Sequence, residues 1–183
     1  MNLVKTNISG AWLIESTAFQ DNRGAFSRLF CARELDGILG LRNIVQINQS
    51  MTRSVGAVRG LHYQQAPHAE MKIVRCLKGR VYDVVVDLRH ESSTFLKWTA
   101  AELTPENRLA LVIPEGCAHG FQVLEEDSEL LYLHTAFYTP AAEGVVRFDD
   151  PKIGIDWPLA PSDLSARDLN QPHLKEDFKG LVL

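Results

Sequence analysis

The sequence lacks the surplus of basic residues that proteins use to bind polyanions. It has 19 Lys and Arg residues against 23 Asp and Glu residues, which gives a formal net charge of −4. A nucleic acid or an anionic membrane surface is held by a broad positive field. We therefore expect neither as a partner, although a local site for a small anion is compatible with this charge.

Cysteine is also scarce, and apolar runs are short. Cys31, Cys76 and Cys117 are odd in number and form no CxxC pair, which is typical of a reducing compartment rather than of a disulfide framework. Residues 1–15 lack the apolar core of a signal peptide, and no run of about 18 apolar residues is long enough to span a bilayer. We expect a cytoplasmic protein that does not cross a membrane.

Helical periodicity is rare, whereas short runs of alternating and β-branched residues are frequent. Residues 71–89 carry such runs on both sides of Lys78-Gly79, which predicts two strands joined by a tight turn. Similar runs, separated by proline, glycine or acidic turns, follow at 94–103, 108–124 and 128–138. This series predicts an all-β sandwich or barrel, and the length of 183 residues suits one domain over 1–183.

Only two segments suggest helix. Residues 31–40 predict a short helix that ends at Gly40, and residues 161–170 predict a capped turn. From about residue 150 the chain is rich in proline but also carries Ile153, Ile155 and Trp157, which are costly to leave in water. We expect this C-terminal tail to pack back on the strands, where it can bring residues to a site.

The segment Val58–Gln64, VRGLHYQ, places an arginine and a histidine in a predicted strand. In regular alternation Arg59 and Leu61 face one side, while Gly60 and His62 face the other, unless the glycine marks a bulge. Lys72 raises a similar question, because a solvated strand face is the usual place for a lysine. If it points into a barrel instead, the ammonium needs an anion and suits a developing negative oxygen.

Seven motifs in order resemble the nucleotide-sugar 3,5-epimerase family across nearly the whole chain. They are RGLHYQ, KIVRCLKGRVYDVVVDLR, SSTFLKW, IPEGCAHGFQVL, LLYLHTAFYTP, DDPKIGIDWP and LSARD. The best-known member acts on dTDP-4-dehydro-6-deoxyglucose. The resemblance implies a cupin-type double-stranded β-helix jelly roll, a homodimer whose N-terminal strands pair with the partner subunit, and catalysis without a cofactor.

The resemblance also implies four catalytic residues. His62 is the expected general base, oriented by Asp168, and Tyr132 is the expected acid. Lys72 is expected near the C4 oxygen of the sugar, where it steadies the enolate. This set suits the reaction, because a C4 ketone acidifies the hydrogens on C3 and C5, and inversion needs a base and an acid on opposite faces of the ring.

A larger set is implied to bind the substrate. Guanidinium groups at Arg23 and Arg59 suit the diphosphate, and Tyr138 matches the aromatic residue that stacks on the thymine ring. The other implied binding residues are Arg28, Gln46, Asn48, His119, Glu143 and Arg167.

The chain departs from the family pattern at three places. Arg28 stands where many members have glutamate, Arg167 where lysine is common, and Leu133-His134 where the rhamnose enzymes usually have Lys-Thr. A 3- or 5-monoepimerase and an enzyme for a CDP-linked 4-keto sugar therefore stay as alternatives.

Two more distant alternatives are disfavoured by the motifs. A metal-dependent cupin needs an HxH pair with a glutamate and a later histidine, but Tyr63 and Gln64 follow His62, so we expect no metal. A binding module without activity could lose the acid and the base, whereas all four catalytic positions are occupied by the implied residues.

Overall fold

The alternating segments form antiparallel strands in two main sheets. The computed structural model describes residues 1–183. One sheet has six strands, in the order β1 (Asn2–Lys5), β2 (Trp12–Glu15), β10 (Leu109–Ile113), β7 (Lys72–Lys78), β12 (Ser128–His134) and β5 (Gln46–Thr52). The other has five, in the order β13 (Glu143–Val145), β6 (Val58–Gln64), β11 (Cys117–Val123), β8 (Val81–Asp87) and β9 (Trp98–Leu103).

The turn at Lys78-Gly79 connects the two sheets. The predicted strands β7 and β8 lie on either side of this turn, but they do not pair with each other. β7 pairs with β10 and β12, whereas β8 pairs with β9 and β11. Consecutive strands that alternate between facing sheets are characteristic of a jelly roll.

The main hydrophobic core lies between the two sheets. Val74, Leu111 and Leu130 from the six-stranded sheet share one buried cluster with Val85 and Phe121 from the five-stranded sheet. Period-two alternation puts these residues on the inner faces because every second side chain of a strand points to the same side. The partly buried Tyr132 packs against this cluster.

The outer face of each sheet is covered by a different part of the chain. Helix α1 (Asp36–Leu39) ends before Gly40 as predicted, but it is shorter than the predicted segment, and its Leu39 packs on Ile73 and Leu133. On the other sheet, Ile153 joins a buried cluster with Leu61, and the partly buried residues Ile155 and Trp157 pack against it. A second one-turn helix, α2 (Ala166–Leu169), follows in this C-terminal segment. Neither α-helix, at four residues each, could span a membrane.

A separate hairpin lies outside both sheets. It consists of β3 (Ala18–Asp21) and β4 (Gly24–Ser27), which pair only with each other. Phe19 is 71% exposed and Phe26 is 72% exposed. Strand β5 at the edge of the six-stranded sheet also leaves Ile47 and Met51 exposed.

Candidate active site

A bulge in β6 turns Arg59 and His62 toward the same side. His62 lies opposite His119 on β11, and Arg59 lies opposite Phe121, so three residue steps on β6 match two on β11. Gly60 permits this arrangement, since its φ is +125° and an added Cβ would lie 2.8 Å from the carbonyl oxygen of His119. The bulge alternative considered for the sequence is therefore correct, and regular alternation does not hold here.

The C-terminal segment brings a carboxylate to His62. Nε2 of His62 lies 2.7 Å from Oδ1 of Asp168, in α2. Ser165 caps this helix by accepting a hydrogen bond of 3.1 Å from the backbone N–H of Asp168. Burial alone raises the pKa of the Asp168 carboxyl, but the hydrogen bond and charge of His62 outweigh burial and hold the pKa below its ordinary value. An ionised Asp168 orients the imidazole and leaves the other ring nitrogen free to take a proton.

Tyr132 projects from the facing sheet. Its hydroxyl lies 3.0 Å from Oγ of Ser50 on the neighbouring strand β5. Burial is the main cause that raises the pKa of Tyr132 well above its ordinary value. The phenol therefore keeps its proton at neutral pH, as an acid must before it donates.

Lys72 faces the interior, so the interpretation of this lysine as a residue on a solvated strand face is wrong. Its Nζ lies 3.0 Å from Oε1 of the buried Glu70, and its side chain is 12% exposed. Ile73, the next residue on β7, packs in the outer cluster with Leu133, which is the alternation that a regular strand requires. The buried ammonium thus has the anionic partner that burial demands.

These side chains line two adjoining cavities. The inner pocket has a volume of about 290 Å³ and is lined by Asn48, Gln49, Ser50, Arg59, His62, Lys72, His119, Phe121, Tyr132 and His134. The outer groove has a volume of about 790 Å³ and is lined by Met51, Thr52, Arg53, Ser54, Val58, Arg59, His62, Asp163, Leu164, Ser165, Arg167 and Asp168. Arg59 and His62 line both cavities and connect them.

Three implied binding residues form a hydrogen-bonded chain near the outer groove. The hydroxyl of Tyr138 donates to Glu143 at 2.7 Å, and Glu143 lies 2.8 Å from Nη2 of Arg167. Gln46 accepts a hydrogen bond of 3.2 Å from the backbone N–H of Tyr138. Tyr138 is 53% exposed.

Arg23 and Arg28 lie elsewhere. Arg23 forms an ion pair of 2.6 Å with Asp21 inside the β3–β4 hairpin, and Arg28 pairs with Glu34. Neither arginine lines the inner pocket or the outer groove. Within one chain the fold therefore does not bring these two predicted binding residues to His62.

The chain matches the model of the dTDP-4-dehydrorhamnose 3,5-epimerase family over residues 5–176. The chain belongs to this family. The curated dTDP-4-dehydrorhamnose 3,5-epimerase of Salmonella typhimurium is 40% identical over 178 residues, which cover 96% of this chain and 97% of that relative. Family membership makes the chain an isomerase, as the motifs predicted.

Solved structures of epimerases agree with the fold. The crystal structure of dTDP-4-dehydrorhamnose 3,5-epimerase from Elizabethkingia anophelis has a TM-score of 0.91 at 42% identity and covers 97% of this chain and 98% of that chain. An epimerase from Legionella pneumophila, solved in complex with dTDP-4-keto-L-rhamnose, has a TM-score of 0.87 at 38% identity, with 92% and 89% covered. The predicted all-β jelly roll is confirmed.

Several residues of the site were not among the predicted site residues. Glu70 binds Lys72, Ser50 binds Tyr132, Asp83 binds His119 at 2.7 Å, and Arg53 lines the outer groove. The sequence contained a signal for Glu70, because it lies two residues before Lys72, and residues two apart in an extended segment share a face. Asp83 also had one, since it is the single acidic residue within the apolar run VYDVVV of β8.

The histidines of the inner pocket are held by separate carboxylates. His62 binds Asp168, His119 binds Asp83, and His134 binds Glu70, each at 2.7 Å. No group of three or more histidine, cysteine or acidic side chains converges as a possible set of metal ligands. Each pair is therefore arranged to hold one imidazole and its proton.

Proposed function

We propose that this chain epimerises a nucleotide-linked 4-keto-6-deoxyhexose, and that its substrate is dTDP-4-dehydro-6-deoxyglucose, which it converts to dTDP-4-dehydro-L-rhamnose. One observation carries the proposal. His62 and Tyr132 extend from facing sheets into one inner pocket of about 290 Å³, a size that suits a single hexose ring. In the proposal these two side chains are the proton acceptor and the proton donor, and the sugar lies between them.

The reaction follows from this placement. His62 takes the proton from C5 or C3, and the electron pair left on carbon moves onto the C4 oxygen as an enolate. The nearby Lys72 ammonium stabilises this oxygen, and Asp168 stabilises the imidazolium. Tyr132 then returns a proton to the carbon from the opposite face, which inverts the centre.

The outer groove accommodates the nucleotide in this proposal. Arg59 lies where the two cavities meet, so its guanidinium can bind the diphosphate while the sugar occupies the inner pocket. Arg53 and Arg167 add positive charge along the same groove. Tyr138 is exposed and held by Glu143, which suits stacking on the base.

We also infer that the protein is cytoplasmic, in agreement with its three free cysteines. We further infer that it forms a homodimer. The exposed Phe19 and Phe26 of the hairpin and the open edge of β5 support an interface that involves strands. Such an interface would carry Arg23 to the groove of the partner subunit. If so, mixing inactive Arg23→Ala and His62→Ala subunits restores turnover in the hybrid dimers, and the absence of restoration contradicts a shared site.

Deuterium incorporation tests the reaction. The protein is incubated in heavy water with dTDP-4-dehydro-6-deoxyglucose or its CDP counterpart, and label is located by mass spectrometry. We expect label at C3 and C5 of the dTDP sugar, insensitive to a chelator. Label at one carbon indicates a monoepimerase, preference for the CDP sugar changes the substrate, and loss of exchange with the chelator indicates a metal. No exchange into either sugar contradicts the proposal.

A further inference from the structure

His134 occupies a position in the inner pocket that the reaction above does not use. On β12 it lies two residues after Tyr132 and therefore points to the same side. The two rings stack with centroids 6.1 Å apart and planes 19° apart. The side chain is 11% exposed, so the fold holds a titratable ring beside the proposed acid.

Glu70 anchors this ring and Lys72 at the same time. Oε2 of Glu70 lies 2.7 Å from Nδ1 of His134, and Oε1 lies 3.0 Å from Nζ of Lys72. Burial by itself raises the pKa of the Glu70 carboxyl, but the hydrogen bond from His134 and the charge of Lys72 outweigh burial and leave the pKa below its ordinary value. The carboxylate is ionised at neutral pH and can only accept hydrogen bonds.

The ionised carboxylate decides the tautomer of His134. Nδ1 must carry the proton that is donated to Glu70, so Nε2 of the neutral ring has a lone pair and accepts. Nδ2 of Asn48 lies 3.3 Å from this Nε2 and is the matching donor. The side-chain oxygen Oδ1 of Asn48 makes no hydrogen bond within the chain, although the residue lines the inner pocket.

Building on the function proposed above, we propose that Glu70 and His134 are positioning residues that turn the carboxamide of Asn48 so that its oxygen accepts a hydrogen bond from a hydroxyl of the bound hexose. The same carboxylate holds the Lys72 ammonium near the enolate oxygen. The pocket therefore selects a sugar that carries a hydroxyl at this position over the corresponding deoxy sugar. A site built to bind a hydroxyl discriminates strongly against its absence, because its polar group is then left unpaired.

Substrate analogues test this selection. The wild type and variants receive the parent sugar nucleotide and its analogues in which the C2 or the C3 hydroxyl is replaced by hydrogen. We expect the wild type to lose about tenfold or more in kcat/KM on one analogue. In His134→Leu and Glu70→Gln this preference falls to about threefold or less, whereas Glu102→Gln, a surface change outside both cavities, retains it.

A rescue separates positioning from a merely structural role. Asp at position 48 presents an oxygen to the sugar in either orientation, so Asn48→Asp restores the preference in the His134→Leu background. A defect in packing would not be restored in this way. An unchanged preference in folded His134→Leu, or a preference that Asn48→Asp does not restore, overturns the proposal.

Histidine ¹⁵N spectra test the network without turnover. The His134 signal is identified by its loss in His134→Leu. We expect its ¹⁵N chemical shifts to be those of a ring protonated at Nδ1, and we expect Glu70→Gln to change them. A ring protonated at Nε2 overturns the positioning even if the enzyme is active. The wild type is also tested for deuterium exchange into the parent sugar nucleotide and its two deoxy analogues. If the expected tautomer is found but none of these three sugars takes up deuterium, the proposed function fails. The selection argued from that function is then overturned as well.

Discussion

Two histidine–carboxylate pairs lie side by side on adjacent strands, yet they differ in what they can do. His62 and His119 are directly opposite in register, and each ring lies 2.7 Å from a carboxylate oxygen. The side chain of His62 is 31% exposed, whereas that of His119 is 6% exposed. The length of the hydrogen bond is the same, so it cannot identify the base; access to substrate and to water can.

The partners of the two rings explain the difference. Asp168 comes from the C-terminal segment and reaches His62 from the rim, where the outer groove is open. Asp83 comes from the middle of β8, is fully buried, and its Oδ2 has no hydrogen-bond partner. We therefore expect the first pair to exchange a proton with the substrate, whereas the second joins two buried groups.

Removal of the exposed ring gives the largest expected effect. His62→Ala lowers turnover by about 10³-fold or more, since general base catalysis typically contributes 10²–10⁴-fold. The melting temperature falls less than in His119→Ala, because His62 is partly exposed and Asp168 lines the outer groove. Steady-state kinetics and calorimetry on the same preparation check both parts. Turnover at the wild-type rate would remove His62 from the mechanism.

Removal of the buried ring is expected to act on stability. His119→Ala leaves Asp83 without its only hydrogen-bond donor and lowers the free energy of unfolding by about 3 kcal/mol. His119→Ala/Asp83→Ala recovers part of this loss, because no buried carboxyl is left unpaired. Urea titrations of the three proteins measure the difference. A larger stability loss in His62→Ala than in His119→Ala would reverse the comparison.

Tyr132 lies against the buried pair, with its ring 6.1 Å from that of His119. Tyr132→Phe keeps the ring but removes the proton donor, so we expect inversion to fall about 10²-fold. Solvent exchange at the carbon that His62 deprotonates persists, since the base is intact. Comparing deuterium content with sugar configuration separates the two steps. Equal loss of exchange and inversion argues that Tyr132 is not the acid.

Acid stability gives the smallest expected effect. The pKa of Asp168 is below its ordinary value, so the pair contributes stability above the unfolded pKa of about 3.9 and loses it as the pH falls through the folded pKa. Between pH 6 and pH 3, Asp168→Asn should therefore lose about 1 kcal/mol less than the wild type. Urea unfolding at both pH values tests this, with Glu102→Gln as the control. Equal losses in both proteins would mean that the pair adds nothing.

Much of the site could be predicted because its residues belong to local motifs. The strand series indicated a β-sandwich or barrel, and the family motifs pointed to His62, Asp168, Tyr132 and Lys72, which the fold brings to two adjoining cavities. Glu70 was not recognised, because an acid beside a strand has an ordinary explanation as a surface residue. Only the contact with Lys72 and His134 reveals its place in the pocket.

The sequence by itself determined which residues alternate along each strand, and with it the all-β class, because side-chain alternation is a local property of an extended chain. The tertiary structure decided which face is the interior. The bulge at Gly60 set Arg59 and His62 on one side, Lys72 turned inward, and the hairpin carried Arg23 away from the pocket. These outcomes depend on register and on contacts between strands far apart in sequence, and alternation within one strand carries no information about either.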